Sequence, residues 1–201
     1  MKKWLCGVMI AILIFAVKGV NVVNAETVSF LVSASVPLAT GVTITASQVD
    51  SATNAFTTVA GTTLSFDPMT YDTTNNIYLP NHYFAIDVGA VGGAGAPDVT
   101  VTYVEGANPN GATNGLGWHS SAAFVRVEGT GEILLASHPK KLLKDLVGEN
   151  ITIVDTAGGF LRIYAGLVTG DASTPTGGIP FSNGDQPGTY NGTLVVTGTI
   201  I

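Results

Sequence analysis

The side chains in this 201-residue chain that could do chemistry are few and scattered. The three histidines, His82, His119 and His138, lie far apart, and no two share the H-x-x-x-H spacing that puts a ligand pair on one helix face. Polar turn or edge positions are expected for them. Asp67, Asp72, Asn75 and Asn76 fall in one loop-like stretch and carry the oxygen ligands that calcium takes. Their spacing departs from the D-x-[DN]-x-[DN]-G loop, so turn solvation is the simpler expectation. Glu128 and Glu132 flank G-T-G at an expected hairpin, with nothing placing a second carboxylate opposite them across a cleft, as glycoside hydrolysis needs. No G-x-S-x-G elbow and no phosphate loop ending in G-K-[ST] occurs. Gly89, Gly92, Gly93 and Gly95 precede a strand pattern, where a nucleotide loop would precede a helix. Asn150-Ile-Thr152 and Asn191-Gly-Thr193 match a glycosylation sequon in a chain rich in Asn and Thr. The inventory contains no nucleophile–base pair, so no enzyme, metal or cofactor is expected.

The elements that hold these residues are strands. In Val28 to Val36, one side of a period-two pattern carries Val28, Phe30, Val32, Ala34 and Val36, and the other Ser29, Leu31, Ser33 and Ser35. Similar runs are Val42–Ala46, Thr63–Phe66, Tyr83–Val88, Val99–Val104, Ala123–Val127, Ile133–Ala136, Ile151–Val154, Phe160–Leu167 and Leu194–Ile200. Gly- and Pro-rich stretches at 92–97, 108–117 and 174–188 separate some of them. One helix is expected, Pro139 to Val147, with Leu142, Leu143 and Leu146 as its buried stripe and Gly148 after it. Many short strands with one helix and no repeat predict an all-β, single-domain sandwich.

Composition narrows the setting. Lys2 and Lys3, the apolar run Leu5–Val17 and V-N-A ending at Ala25 read as an export signal, with residues 1–25 removed. The run is shorter than the ~20 apolar residues of a membrane span. Cys6, the only cysteine, would leave with it, so the mature chain would depend on core burial alone. Five basic residues (Arg126, Lys140, Lys141, Lys144, Arg162) then face fourteen acidic ones, a net charge of about −9. That excludes the basic footprint of a nucleic-acid binder and disfavours anionic membranes, so membrane contact is expected only during export.

Both ends of the mature chain read as strands, and here a resemblance emerges. F-L-V-S-A-S-V-P resembles the N-terminal donor strand I-T-V-T-A-S-V-D-P of the major pilins of alpha-class (class 5, colonisation-factor type) chaperone–usher fimbriae. L-S-F-D-P-M-T-Y resembles that family's L-x-Y-x-P segment. G-T-G-E-I-L-L-A-S with the Lys/Leu segment after it resembles G-G-x-V-L-S and its helix. Q-P-G-T-Y-N-G-T-L-V-V-T resembles the terminal A-G-x-Y-x-G-x-V-S strand. The four occur in the family's order and span nearly the whole mature chain. The long Gly-rich loops at 89–97, 108–117 and 171–185 depart from it and leave a spore-coat-U-like or related secreted pilin-type family open.

The resemblance implies an immunoglobulin-like sandwich over residues 38–201, preceded by a donor strand at 26–37. It further implies a homopolymer built by strand exchange, with a periplasmic chaperone and an outer-membrane usher as partners and the cell surface as destination. Val28, Phe30, Val32, Ala34 and Val36 would be the subunit–subunit donor residues. Burying the four large ones would supply roughly 6–12 kcal/mol before entropy. Alternation alone fits equally well a first strand kept within its own sandwich. A different class of function, a monomeric secreted carbohydrate-binding module, would use Trp118, Tyr71 and Tyr78 as stacking rings.

Overall fold

A computed structural model describes residues 29–31, 41–90, 97–156 and 159–199. Fourteen strands build the described chain: β1 (Ser29–Leu31), β2 (Val42–Asp50), β3 (Phe56–Thr58), β4 (Thr63–Ser65), β5 (Met69–Asp72), β6 (Ile77–Pro80), β7 (His82–Ala90), β8 (Asp98–Glu105), β9 (Ser120–Glu128), β10 (Gly131–Leu134), β11 (Lys141–Leu142), β12 (Glu149–Ile151), β13 (Phe160–Leu167) and β14 (Gly192–Thr199). Two four-residue helices, α1 (Leu116–His119) and α2 (Ile153–Thr156), interrupt them. Among the described residues no helix is long and apolar enough to cross a membrane.

The strands form an all-β sandwich. The larger sheet runs β10-β9-β13-β7-β2-β3, with β11 also paired to β9, and every pairing is antiparallel. Facing it are the antiparallel sheet β12-β8-β14 and the two-stranded β1-β4 pair. A separate hairpin, β5-β6, packs at one side. Alternation explains the core. Along β13, Leu161, Ile163, Ala165 and Leu167 are buried, while Phe160, Arg162, Tyr164 and Gly166 are not. Along β14, Gly192, Leu194, Val196 and Gly198 are buried and the residues between them are half-buried. Phe84, Ile86, Val88, Phe124, Leu161 and Ile163 of the larger sheet share one core with Leu64, Phe66, Val99, Val101, Leu194 and Val196 opposite. This is the one-face-in pattern of two packed antiparallel sheets.

Glycine is sterically required along β14. A Cβ on Gly192 would overlap the Tyr103 ring, and one on Gly198 would lie 2.7 Å from Val42 Cγ1. Both glycines face inward, so the strand lies close against its neighbours at either end.

The expected helix over Pro139–Val147 is corrected. That stretch forms the two-residue β11, then a single 3-10 turn at Leu143–Asp145. Leu142, Leu143 and Leu146 are nonetheless fully buried. The Leu spacing anticipated which side chains enter the core, but β11 pairs with Ala122 and Ser121 of β9, and that ladder competes with helical bonds for the same backbone groups. Strands β3, β5 and β6 had no expected counterpart. The Ile151–Val154 run breaks after Ile151 into α2.

Burial in the 3-10 turn yields a contrast. Leu143 is fully buried and Val147, four residues on, is 84 % exposed. Leu143→Ala should lower unfolding stability by about 2–5 kcal/mol. Val147→Ala should stay within about 0.5 kcal/mol of the parent. Urea unfolding of the two variants measures the difference.

Candidate strand-exchange site

Among the described residues the smaller face of the sandwich ends at β14. β14 pairs on one side with β8 over its whole length, from Gly192 opposite Glu105 to Thr199 opposite Asp98. Among the described residues no strand hydrogen-bonds to its other side. An unpaired edge of eight residues presents a row of N–H and C=O groups ready to accept another strand.

β1 lies beside that edge. Its backbone pairs antiparallel with β4, placing Ser29 opposite Ser65, Phe30 opposite Leu64 and Leu31 opposite Thr63. It also comes within 8 Å of β14, Cα to Cα. Leu64 is fully buried, whereas Thr63 is exposed and Ser65 half-buried. Phe30 therefore holds the register position that shares a sheet face with the core-facing residue of β4. Of the five donor residues expected from the sequence, Phe30 is in this pairing; Val28, Val32, Ala34 and Val36 lie outside the described residues.

β4 is fastened to the opposite sheet from beneath. His82 Nε2 lies 2.7 Å from the Ser65 carbonyl, in range to donate to it, and its ring packs against Phe66 and Phe84. Phe66 meets Phe84 edge-on at 5.2 Å between ring centres. One wall of the site is thus anchored by a buried polar–aromatic cluster.

All three histidines are buried, rather than solvated as polar turn or edge residues would be. His82 opens β7, His119 closes α1 and His138 lies in the turn between β10 and β11, and each ring packs against a core aromatic. His119 stacks on Phe181 at 3.9 Å between ring centres, and Tyr190 meets it edge-on. Its Nδ1 lies 2.7 Å from the Ile179 carbonyl, while Nε2 has no hydrogen-bond partner and faces Asp185 Oδ1 at 3.8 Å. Burial pushes His119 below its ordinary value of 6.5, against the opposing pull of the Ile179 carbonyl, Asp185 and Glu105. His138 bridges two carboxylates, with Nδ1 2.7 Å from Glu149 Oε1 and Nε2 3.2 Å from Asp155 Oδ2. Lys141 pairs with the second oxygen of Glu149, and Ser137 donates to Asp155. Burial by itself would raise both acids, but the bonds from Lys141 and His138 to Glu149, and from His138 and Ser137 to Asp155, leave each below its ordinary value.

The acidic candidates resolve into local structure. Asp72 accepts from the Thr74 and Asn75 backbone N–H groups and from Asn75 Nδ2, and Asn76 takes a positive φ of 57° in the turn between β5 and β6. Asp67 accepts from Ser65 Oγ. Among the described residues no group of three His, Cys, Asp or Glu side chains is placed to hold a metal. Glu128 and Glu132 do flank a hairpin turn, with Glu128 opposite Gly131 and Gly129 at φ 61°.

Glu132 has a role that turn solvation missed. Arg162 grips both oxygens of Asp87 at 2.6 and 2.8 Å and reaches Glu132 Oε1 at 2.8 Å. Tyr164 donates to the same Glu132 oxygen, and Phe56 lies under the guanidinium. Asp87 holds Arg162 further toward its charged form, and burial together with Glu132 pushes Tyr164 up to about 12. The only sequence signal for this cluster was the position of Arg162 on the non-core side of an alternating strand.

The aromatic candidates are drawn toward one end. Tyr71 and Tyr78 are cross-strand partners whose rings approach to 5.0 Å. The Tyr78 N–H donates to the Phe181 carbonyl, and Ile179 N–H to that of Trp118. Trp118 is 38 % exposed, with Lys144 Nζ 4.3 Å from its ring centre. The chain matches no protein-family model, and comparison with curated proteins and with solved structures yields no match.

Acid should loosen this fold in two stages. His119 has a lower pKa folded than unfolded, so its contribution is complete above about 6.5 and is lost as pH falls from there. Glu149 and Asp155 are likewise depressed, so theirs is present above the ordinary values of 4.5 and 3.8 and is lost as pH falls below them. Urea midpoints measured from pH 8 to pH 3 should decline below about 6.5 and more steeply below about 4.5. His119→Phe should flatten the first decline and leave the second.

Proposed function

We propose that the chain is a structural subunit of a surface fimbria, an immunoglobulin-like pilin-type sandwich that polymerises by donating its N-terminal strand to the next copy. The observation that carries this reading is the edge of β14 that has no paired strand among the described residues, with β1 next to it and β4 beyond. Such an arrangement needs one further strand, and the strand supplying it comes from the chain terminus, where detachment disturbs no internal connection.

Donor chemistry agrees with that geometry. The alternating apolar set Val28, Phe30, Val32, Ala34 and Val36 would lie along the core side of the acceptor edge, in the phase that the Phe30–Leu64 register sets. Backbone bonds to β14 would remove an open edge over an apolar core. A chaperone would hold that edge before assembly, an usher would pass the subunit outward, and the assembled fibre would support adhesion. The carbohydrate-binding alternative has less behind it, because Tyr71 and Tyr78 pack on each other and Lys144 sits over Trp118.

Deletion of Glu26–Val36 should abolish fibres, judged by electron microscopy of the surface-expressed product. Phe30→Asp should weaken them severely, since it places a charge at the register position shared with buried Leu64. Fibres of normal number and length from the deletion would sink the proposal.

A further inference from the structure

In His119 a buried acceptor is turned toward another acceptor. Its Nδ1 lies 2.7 Å from the Ile179 carbonyl, and a carbonyl can only accept, so Nδ1 bears the proton. In the neutral ring Nε2 is then a bare lone pair. It is fully buried, has no hydrogen-bond partner among the described residues, and faces Asp185 Oδ1 at 3.8 Å. An in-line water between two acceptors would need about 5.5 Å, twice a normal hydrogen bond. What the gap can take is a proton. We propose that His119 and Asp185 form a proton-operated latch: protonated Nε2 donates to Asp185 Oδ1, and the closing bond moves the Ser182–Asp185 turn and the β5–β6 hairpin tied to it. This device is independent of strand exchange.

The moving side is Asp185. The His119 ring is clamped, stacked on Phe181 with its other nitrogen committed to Ile179, whereas the Asp185 side chain is 21 % exposed on a turn. A charge-assisted N–H···O bond measures about 2.8 Å, so Oδ1 should travel about 1 Å. The second Asp185 oxygen accepts from Ser182 N–H and Oγ at 2.7 and 3.0 Å, so Ser182 follows it. Ser182 bridges to Ile77 of β6, and the Tyr78 N–H donates to the Phe181 carbonyl. Backbone bonds therefore connect the latch to the hairpin whose rings, Tyr71 and Tyr78, pack on each other.

The neighbouring charges leave Asp185 as the proton's partner. Glu105 of β8 is the other carboxylate acting on His119, but its oxygens accept from Tyr103 Oη and the Gly117 N–H. Lys144 and Asp145 of the 3-10 turn pair with each other, as do Lys141 of β11 with Glu149 and Arg126 of β9 with Glu128. Tyr190, edge-on to the ring, donates to the Gln186 carbonyl. Burial outweighs the Ile179 carbonyl and both carboxylates and holds His119 below 6.5, so the latch closes only in acid. The closing bond does not recover the cost of burying the charge, and the same proton lowers overall stability.

Heteronuclear NMR of the chain, titrated from about pH 8 to about pH 4, tests the latch. Expected are a proton on His119 Nδ1 at the alkaline end, a His119 midpoint below 6.5, and Ser182 and Tyr78 amide signals that shift with that same midpoint. Asp185→Asn should lower the midpoint by about one pH unit or more, since the carboxylate that favours the charged ring is gone. His119→Phe keeps a stacking ring and removes the proton, so the two amide shifts should vanish. Should Asp185→Asn fail to fold, the parent and His119→Phe still decide through those amides. A proton on Nε2 at the alkaline end, an unchanged midpoint in Asp185→Asn, or amide shifts that persist in His119→Phe would each overturn the latch. So would unfolding before His119 takes up its proton, or a titration that leaves the Ser182 and Tyr78 amides in place.

Discussion

The apolar core shared by the two faces of the sandwich, with β14 paired on one edge only among the described residues, is the constraint on which the rest depends. β14 buries Leu194 and Val196 on one face and pairs with β8 on one edge, yet its other edge has no hydrogen-bonded strand among the described residues. Exposed edges of that length are normally shortened, charged or covered, because they recruit other strands. Here the edge runs G-T-L-V-V-T-G-T, with no charge and no proline to blunt it. Covering it is therefore part of the stability problem, and β1 is the element adjacent to it.

Stability elsewhere rests on packing and on a few enclosed polar groups. With Cys6 in the expected signal, the mature chain would have no disulfide, and the two faces meet across Phe, Leu, Ile and Val side chains. The buried histidines join that core where strands must be tied to loops. His82 links β4 to the larger sheet, His119 ties α1 to the segment at Ile179–Phe181, and His138 clasps β12 and α2. Each imidazole offers a flat ring for packing and a nitrogen for a carbonyl or carboxylate, a combination aliphatic residues lack. Arg162 does similar work on the outer face, joining β13, β7 and β10 through Asp87 and Glu132.

Period-two burial could be read directly from the residues, and so the all-β sandwich and most of its long strands were determined by the sequence alone. Phe160–Leu167 emerges with the bounds its alternation implies, because each of its residues contributes to one face or the other. Short elements were not: β3, β5 and β6 carry too few residues for a period, and Leu142, Leu143 and Leu146 fit a helical stripe as well as the strand and 3-10 turn they form. In such segments local preference is weak, and pairing with a distant strand decides. Only the tertiary structure could bring His138 to Glu149 and Asp155, Arg162 to Asp87 and Glu132, and β1 to both β4 and β14, because those meetings depend on how distant strands are ordered in space, which alternation along one strand does not encode.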